Sequence, residues 1–156
     1  MKIKTTTKTV EFPGVGEART TYKAVKRAEA VKVTRSRDAA DYLRPFYDEF
    51  IDTREEFRII YLTRQNHIIA SECISTGSAI ATVVSLQMIA RTAILLNAQG
   101  VILSHNHPSG ITTPSDADRK LTRQAIDGLK LLDINVVDHL ILTHNNYLSF
   151  ADEGMM

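Results

Sequence analysis

The feature that most constrains this chain is Val101-Ile102-Leu103, a wholly apolar triplet that runs straight into Ser104-His105-Asn106-His107-Pro108. An unbroken apolar run marks a strand buried on both faces, and such strands belong to sheets covered by helices on either side. The neighbouring segments supply both components. Phe57 to Leu62 reads as a strand, Arg64-Gln65-Asn66 as a turn, His67 to Ile74 as the returning strand of a hairpin, and Ser75 to Ser78 as loop. Val84, Met88, Ala90, Ile94 and Leu95 recur close to helical period within 83–98, and Gly100 is placed to stop that helix. Ser115 precedes a helix to about Leu132, and Val136 to Leu142 forms a final strand. The order β-β-α-β-α-β predicts an α/β fold, a mixed sheet flanked by helices.

Upstream, the threonine-rich stretch to Val15 is β-prone and breaks at Pro13-Gly14-Val15-Gly16, whereas Ala18 to Ala30 is weakly helical. Ser36 or Asp38 is placed to cap a helix through Ala39, Ala40, Tyr42 and Leu43, with a boundary or kink at Pro45 and with Phe46 and Phe50 available to pack. Residues 1–36 carry nine Lys or Arg against three acids, and the remaining 120 carry ten against fifteen. The chain therefore divides into a basic, partly ordered arm, 1–36, and a domain, 37–156, whose compact part is expected to begin near Arg54. A basic arm is an electrostatic footprint for nucleic acid, although sparse aromatics and the lack of a dense Arg/Lys cluster also suit a plain solvated leader.

Length and composition fit one soluble core. With 156 residues, 44% hydrophobic and 24% charged, the chain buries enough surface to need no staples. One cysteine, Cys73, rules out an internal disulfide and a Cys-rich zinc ribbon. No apolar run approaches a membrane span, and the basic start lacks the apolar stretch of a secretory signal, so the expected location is cytoplasmic. The residues leave the oligomeric state open.

Chemistry concentrates in SHNHPSGITTPSDAD. Two histidines at i and i+2 of extended chain project to one side, so His105 and His107 can share a cation. Imidazole suits zinc, and a tetrahedral site that leaves one position to water needs a third protein ligand. Asp118 supplies it, three residues after the N-cap candidate Ser115, in the first helical turn where a carboxylate is favoured. The glycine and two prolines between allow the chain to fold back.

The pattern H-x-H-P-x-G…P-S-x-x-D resembles the JAMM (MPN-positive) motif in the form found in the RadC family, and the likeness extends from Arg54-Glu55-Glu56-Phe57 to Tyr147-Leu148-Ser149-Phe150. The resemblance implies a JAMM/MPN, cytidine deaminase-like architecture. It implies zinc held by His105, His107 and Asp118 with water as the fourth ligand. Ser115 would orient the site and help stabilise a tetrahedral intermediate. An upstream glutamate would act as general base and acid, and the RadC-like spacing Arg-Glu-x-Phe selects Glu55 over Glu56. Alternation along the strand puts these two on opposite faces, so only one can serve. The implied activity is hydrolysis of a peptide or isopeptide bond in a protein substrate. The alternative is a DNA-associated accessory protein in DNA repair or mobile-element biology. RadC-like proteins carry an upstream helix-hairpin-helix region, and only about 12 β-prone residues precede Pro13-Gly14-Val15-Gly16, too few for a complete module.

The other polar residues read more plainly. His139 inside an apolar strand is a satisfied core or edge histidine, with a place behind the metal ligands as the alternative. His67 and His144 beside turns are expected to face solvent, and Cys73 to be a small buried hydrophobe. Ser104 and Ser109 flank the histidines and are candidates to hydrogen-bond near the metal.

Overall fold

A computed structural model describes residues 5–12, 16–23, 30–77 and 84–156. Two contact units divide it, Met1–Ala30 and Val31–Met156. In the first, β1 (Thr5–Phe12) and β2 (Gly16–Lys23) pair antiparallel, Thr5 opposite Lys23 and Phe12 opposite Gly16. The helical expectation for residues 18–30 is thus corrected as far as Lys23, because Thr20, Thr21 and Tyr22 favour extended chain and the ladder satisfies their backbone. Residues 13–15 of the glycine break, and residues 24–29, lie outside the described residues.

The second unit contains α1 (Ser36–Tyr47), β3 (Glu56–Leu62), β4 (Ile68–Thr76), α2 (Leu86–Leu96), β5 (Gly100–Asn106), α3 (Asp116–Lys130), β6 (Asn135–Leu142) and β7 (Tyr147–Ser149). The sheet order is β4-β3-β5-β6-β7, antiparallel throughout except for the β5–β6 pair, which α3 connects. The fold is therefore α/β with a mixed sheet. Its last strand, β7, is an addition to the order read from sequence.

Alternation along the strands sorts the core into two layers. Ile60, Leu62, Ile102, Leu140 and Leu142 pack against Ala39, Ala40, Leu43 and Tyr47 of α1. Phe57, Ile59, Tyr61, Val101 and Leu103 pack against Ile89 and Ala93 of α2 and Leu121, Ala125 and Leu129 of α3. All of β5 is buried, as the apolar triplet requires. Helix α1 belongs to this core, so the compact part begins well before Arg54. Its N-cap is Arg35 rather than Ser36 or Asp38. Asp38 sits at the third helical position and accepts from the N–H of Thr34 (2.8 Å) and of Arg35 (3.2 Å). Pro45 lies within the last turn, where a missing N–H forfeits one ladder bond without ending the helix. Helix α2 is stopped by Asn97 in the left-handed region (φ 53°), whose N–H bonds back to Ala93 and Ile94; Gly100 already belongs to β5.

Candidate metal centre

The pleat of β5 decides which residues reach the site. Val101, Leu103 and His105 face α3, and Ile102, Ser104 and Asn106 face α1. Ser104, expected near the metal, instead bonds the Tyr47 hydroxyl (2.9 Å) on the opposite face of the sheet. Ser109 is exposed, and its hydroxyl accepts from the Ile111 N–H at 3.4 Å. Asn106 turns away from the histidines as well. Its Nδ2 donates to the carbonyls of Ile51 and Arg54, both at 2.8 Å, and its Oδ1 accepts from the N–H of Glu56 at 2.8 Å.

On the α3 face, His105, His107 and Asp118 converge, with one ligand atom from each lying within 4.8 Å of the others. The two Nε2 atoms are 3.0 Å apart. Asp118 Oδ1 is 3.2 Å from Nε2 of His105, and Oδ2 is 3.6 Å from Nε2 of His107. Neighbouring ligands on tetrahedral zinc, each ~2.0–2.1 Å from the ion, stand roughly 3.3 Å apart. The spacing matches that edge length. Nδ1 of His107 faces the Ile111 carbonyl at 2.7 Å, and a carbonyl only accepts, so the hydrogen resides on Nδ1 and Nε2 of the neutral ring is a lone pair. Two imidazoles and a carboxylate form a donor set that suits zinc, and nothing in their arrangement conflicts with it.

Helix capping places the third ligand. Ser115 accepts from the N–H of Asp118 (3.1 Å), and the Asp118 carboxylate accepts from the Ser115 N–H (2.8 Å) and hydroxyl (2.6 Å). This capping box holds Oδ2 in the helix start and leaves Oδ1 turned towards His105. Burial opposes the charge on Asp118, yet the imidazoles of His105 and His107 beside it outweigh this and hold the group well below the usual carboxylate range. The bond to Asp118 in turn raises the pKa of His107 against its partial burial, helped by the Ile111 carbonyl and by the charge of Glu55.

Glu56 is buried on the α1 side and paired with Arg58 at 2.6 Å, the Arg58 guanidinium lying over the Phe46 ring. Phe57 stacks on His105, at 5.9 Å between ring centres, and the charge of Glu55 acts on His107.

His139 is the satisfied core histidine that the sequence leads one to expect, and it also touches a candidate ligand. It is completely buried, with Nε2 2.9 Å from Nδ1 of His105 and Nδ1 2.6 Å from the hydroxyl of Thr122. Burial, with His105 beside it, pushes its pKa well below the ordinary histidine value. Its position beside Asp118's helix was the only available signal, since the contact depends on the register of β5 and β6. His144 is exposed as expected and sits 3.2 Å from Asp52. His67 is only half exposed, and its Nδ1 is buried without a hydrogen-bond partner among the described residues. Cys73 is half-buried, and burial raises the pKa of its thiol.

Comparison with known proteins follows the same residues. The RadC-like JAB domain family matches residues 33–155. The chain belongs to the RadC family. A UPF0758 protein of Flavobacterium johnsoniae is 34% identical over 157 residues, covering 94% of this chain and 68% of that protein. The Escherichia coli UPF0758 protein YkfG is 48% identical over 103 residues, 66% of this chain and 65% of its own length. A Symbiobacterium thermophilum UPF0758 protein is 40% identical over a match that spans 44% of its length. This RadC-like chain thus matches from under half to about two thirds of these relatives, and carries the domain that holds the candidate metal site. Among the described residues, no helix is long and apolar enough to cross a membrane.

Proposed function

We propose that this chain is a zinc-dependent hydrolase of peptide or isopeptide bonds, with His105, His107 and Asp118 as ligands and Glu55 as the proton-transfer group. The observation that carries this reading is the convergence of two Nε2 atoms and a carboxylate at 3.0–3.6 Å. When bound, zinc lowers the pKa of water in its fourth position to ~7 and polarises a carbonyl oxygen. Glu55 would be the carboxylate that takes a proton from the attacking water and returns it to the leaving amine, a reading supported by the action of its charge on His107. Ser115 orients Asp118, because its hydroxyl hydrogen is directed at Oδ2. Glu56 is left with a structural role, since its carboxylate is engaged by Arg58.

The decisive experiment combines metal analysis with turnover of peptide and isopeptide libraries. One zinc per chain, lost in His105→Ala, together with cleavage lost in Glu55→Gln, is the expected result. Metal-free protein from zinc-replete medium would overturn the reading.

Charge supports a second reading, a DNA-associated accessory protein, through the net positive stretch 1–36. Its mark would be salt-dependent duplex binding that disappears when residues 1–36 are removed; no binding at low salt would remove it.

A further inference from the structure

A metal ligand must offer a lone pair, and which nitrogen of a histidine does so is set by what the other nitrogen contacts. For His107 the Ile111 carbonyl decides. For His105 the contact at Nδ1 is another histidine, which could accept or donate, so the answer lies further along the network.

That network ends on an atom with only one role. The Thr122 hydroxyl lies 2.7 Å from the backbone carbonyl oxygen of Asp118, one helical turn earlier, and a carbonyl cannot donate. The single hydroxyl hydrogen therefore belongs to that bond. The same oxygen, 2.6 Å from Nδ1 of His139, is left as an acceptor, so Nδ1 of His139 carries the hydrogen. His139 is enclosed between Phe150, stacked at 4.7 Å, and the edge-on Phe57 at 5.7 Å, where a second proton would place a charge in an apolar slot. Its Nε2 is then a lone pair that accepts from Nδ1–H of His105 at 2.9 Å. Nε2 of His105 is thereby left open towards His107 and Asp118.

We propose that Thr122 and His139 are positioning residues, a relay that starts at the Asp118 carbonyl and fixes His105 as the Nδ1–H tautomer so that Nε2 can bind a metal. One residue thus contributes twice, its carboxylate as a ligand and its backbone carbonyl as the reference for a second ligand. Running the relay in reverse would set a hydrogen on Nε2 of His105 and block the site. The inference deepens the zinc-hydrolase reading and rests on it only for the use of the open nitrogen.

The test begins with the metal-free, 15N-labelled protein near neutral pH. Long-range proton–nitrogen correlations of the imidazole rings are expected to show His105 and His139 both as Nδ1–H. An Nε2–H His105 in the wild-type protein would overturn the relay. Thr122→Val keeps the shape and removes the acceptor; it should move His105 towards Nε2–H and weaken Zn2+ and Co2+ binding roughly 10–100-fold in chelator competition. Thr122→Ser should restore both. Thr122→Val with unchanged tautomers and unchanged metal affinity would also overturn it. If the wild type shows the expected tautomers and binds no metal, the hydrolase reading fails and the relay stands. If it binds metal with His105 as Nε2–H in the metal-free state, the relay alone fails.

Discussion

The side chain of Asn106 accepts a hydrogen bond from the backbone N–H of Glu56 at 2.8 Å, and so ties the strand that carries the histidines to the segment that carries the glutamates. Its amide also holds the carbonyls of Ile51 and Arg54. A residue placed between His105 and His107 thus holds three backbone groups of the link from α1 into β3.

Removing that residue should be severe. Asn106→Ala strips partners from three backbone groups in a buried setting, and the expected loss is on the order of 3 kcal/mol. Asn106→Asp should be at least as damaging, since an acceptor would then face two carbonyls. Urea unfolding checks this: the midpoint should fall with the slope unchanged, and a wild-type midpoint in Asn106→Ala would contradict the role.

Metal binding should depend on pH in a definite direction. A cation needs the neutral ring of His107, and Asp118 holds the pKa of that ring above its ordinary value of 6.5. The proton therefore competes even above that value, and metal affinity should rise with pH through the elevated pKa and then level off. Isothermal titration with Zn2+ or Co2+ across this window measures it. A flat profile would show that His107 is not a ligand.

The two glutamates should respond oppositely to the same substitution. Glu55→Gln should abolish turnover, leaving metal content and thermal midpoint close to wild type. Glu56→Gln should lower the midpoint, because Arg58 loses its charged partner in a mostly buried position, while turnover survives in the folded fraction. Parallel activity, metal and melting measurements separate them. The reverse pattern would exchange their roles.

At the start of α1, bonds from the Thr34 hydroxyl and N–H hold the Asp38 carboxyl down to about 2. A depressed carboxylate stabilises the fold above its unfolded-state value of 3.8, and that contribution disappears as pH falls towards 2. Carboxyl 13C titration should place the midpoint near 2. Asp38→Asn should flatten this part of the acid limb, and an unshifted midpoint would contradict the capping geometry.

What could be read from the sequence was what is local. The buried β5, the hairpin of β3 and β4, and the capping box that places Asp118 each depend on residues a few positions apart, so pattern alone exposes them. The burial of Glu56 against Arg58 is set by the same strand, since both residues lie on one face of β3. The burial of His139 was legible in its apolar strand, but its meeting with His105 was not, because it arises from the parallel register that sets it opposite Leu103, diagonal to His105. Ser104 was misplaced by ignoring the same pleat that correctly aligned His105 and His107. The strand at Gly16–Lys23 was missed because Glu17, Ala18 and Arg19 suit a helix, and pairing with β1 overrides them.

All three candidate ligands lie between positions 105 and 118, whereas Glu55 is fifty residues upstream. Joining the ligands closes a short loop, whose entropic demand grows only slowly with length, and needs just β5, its turn and the first turn of α3. Bringing Glu55 to them requires the antiparallel register of β3 against β5, a much longer closure. The three candidate ligands therefore meet through far less of the sheet than is needed to bring residue 55 beside them.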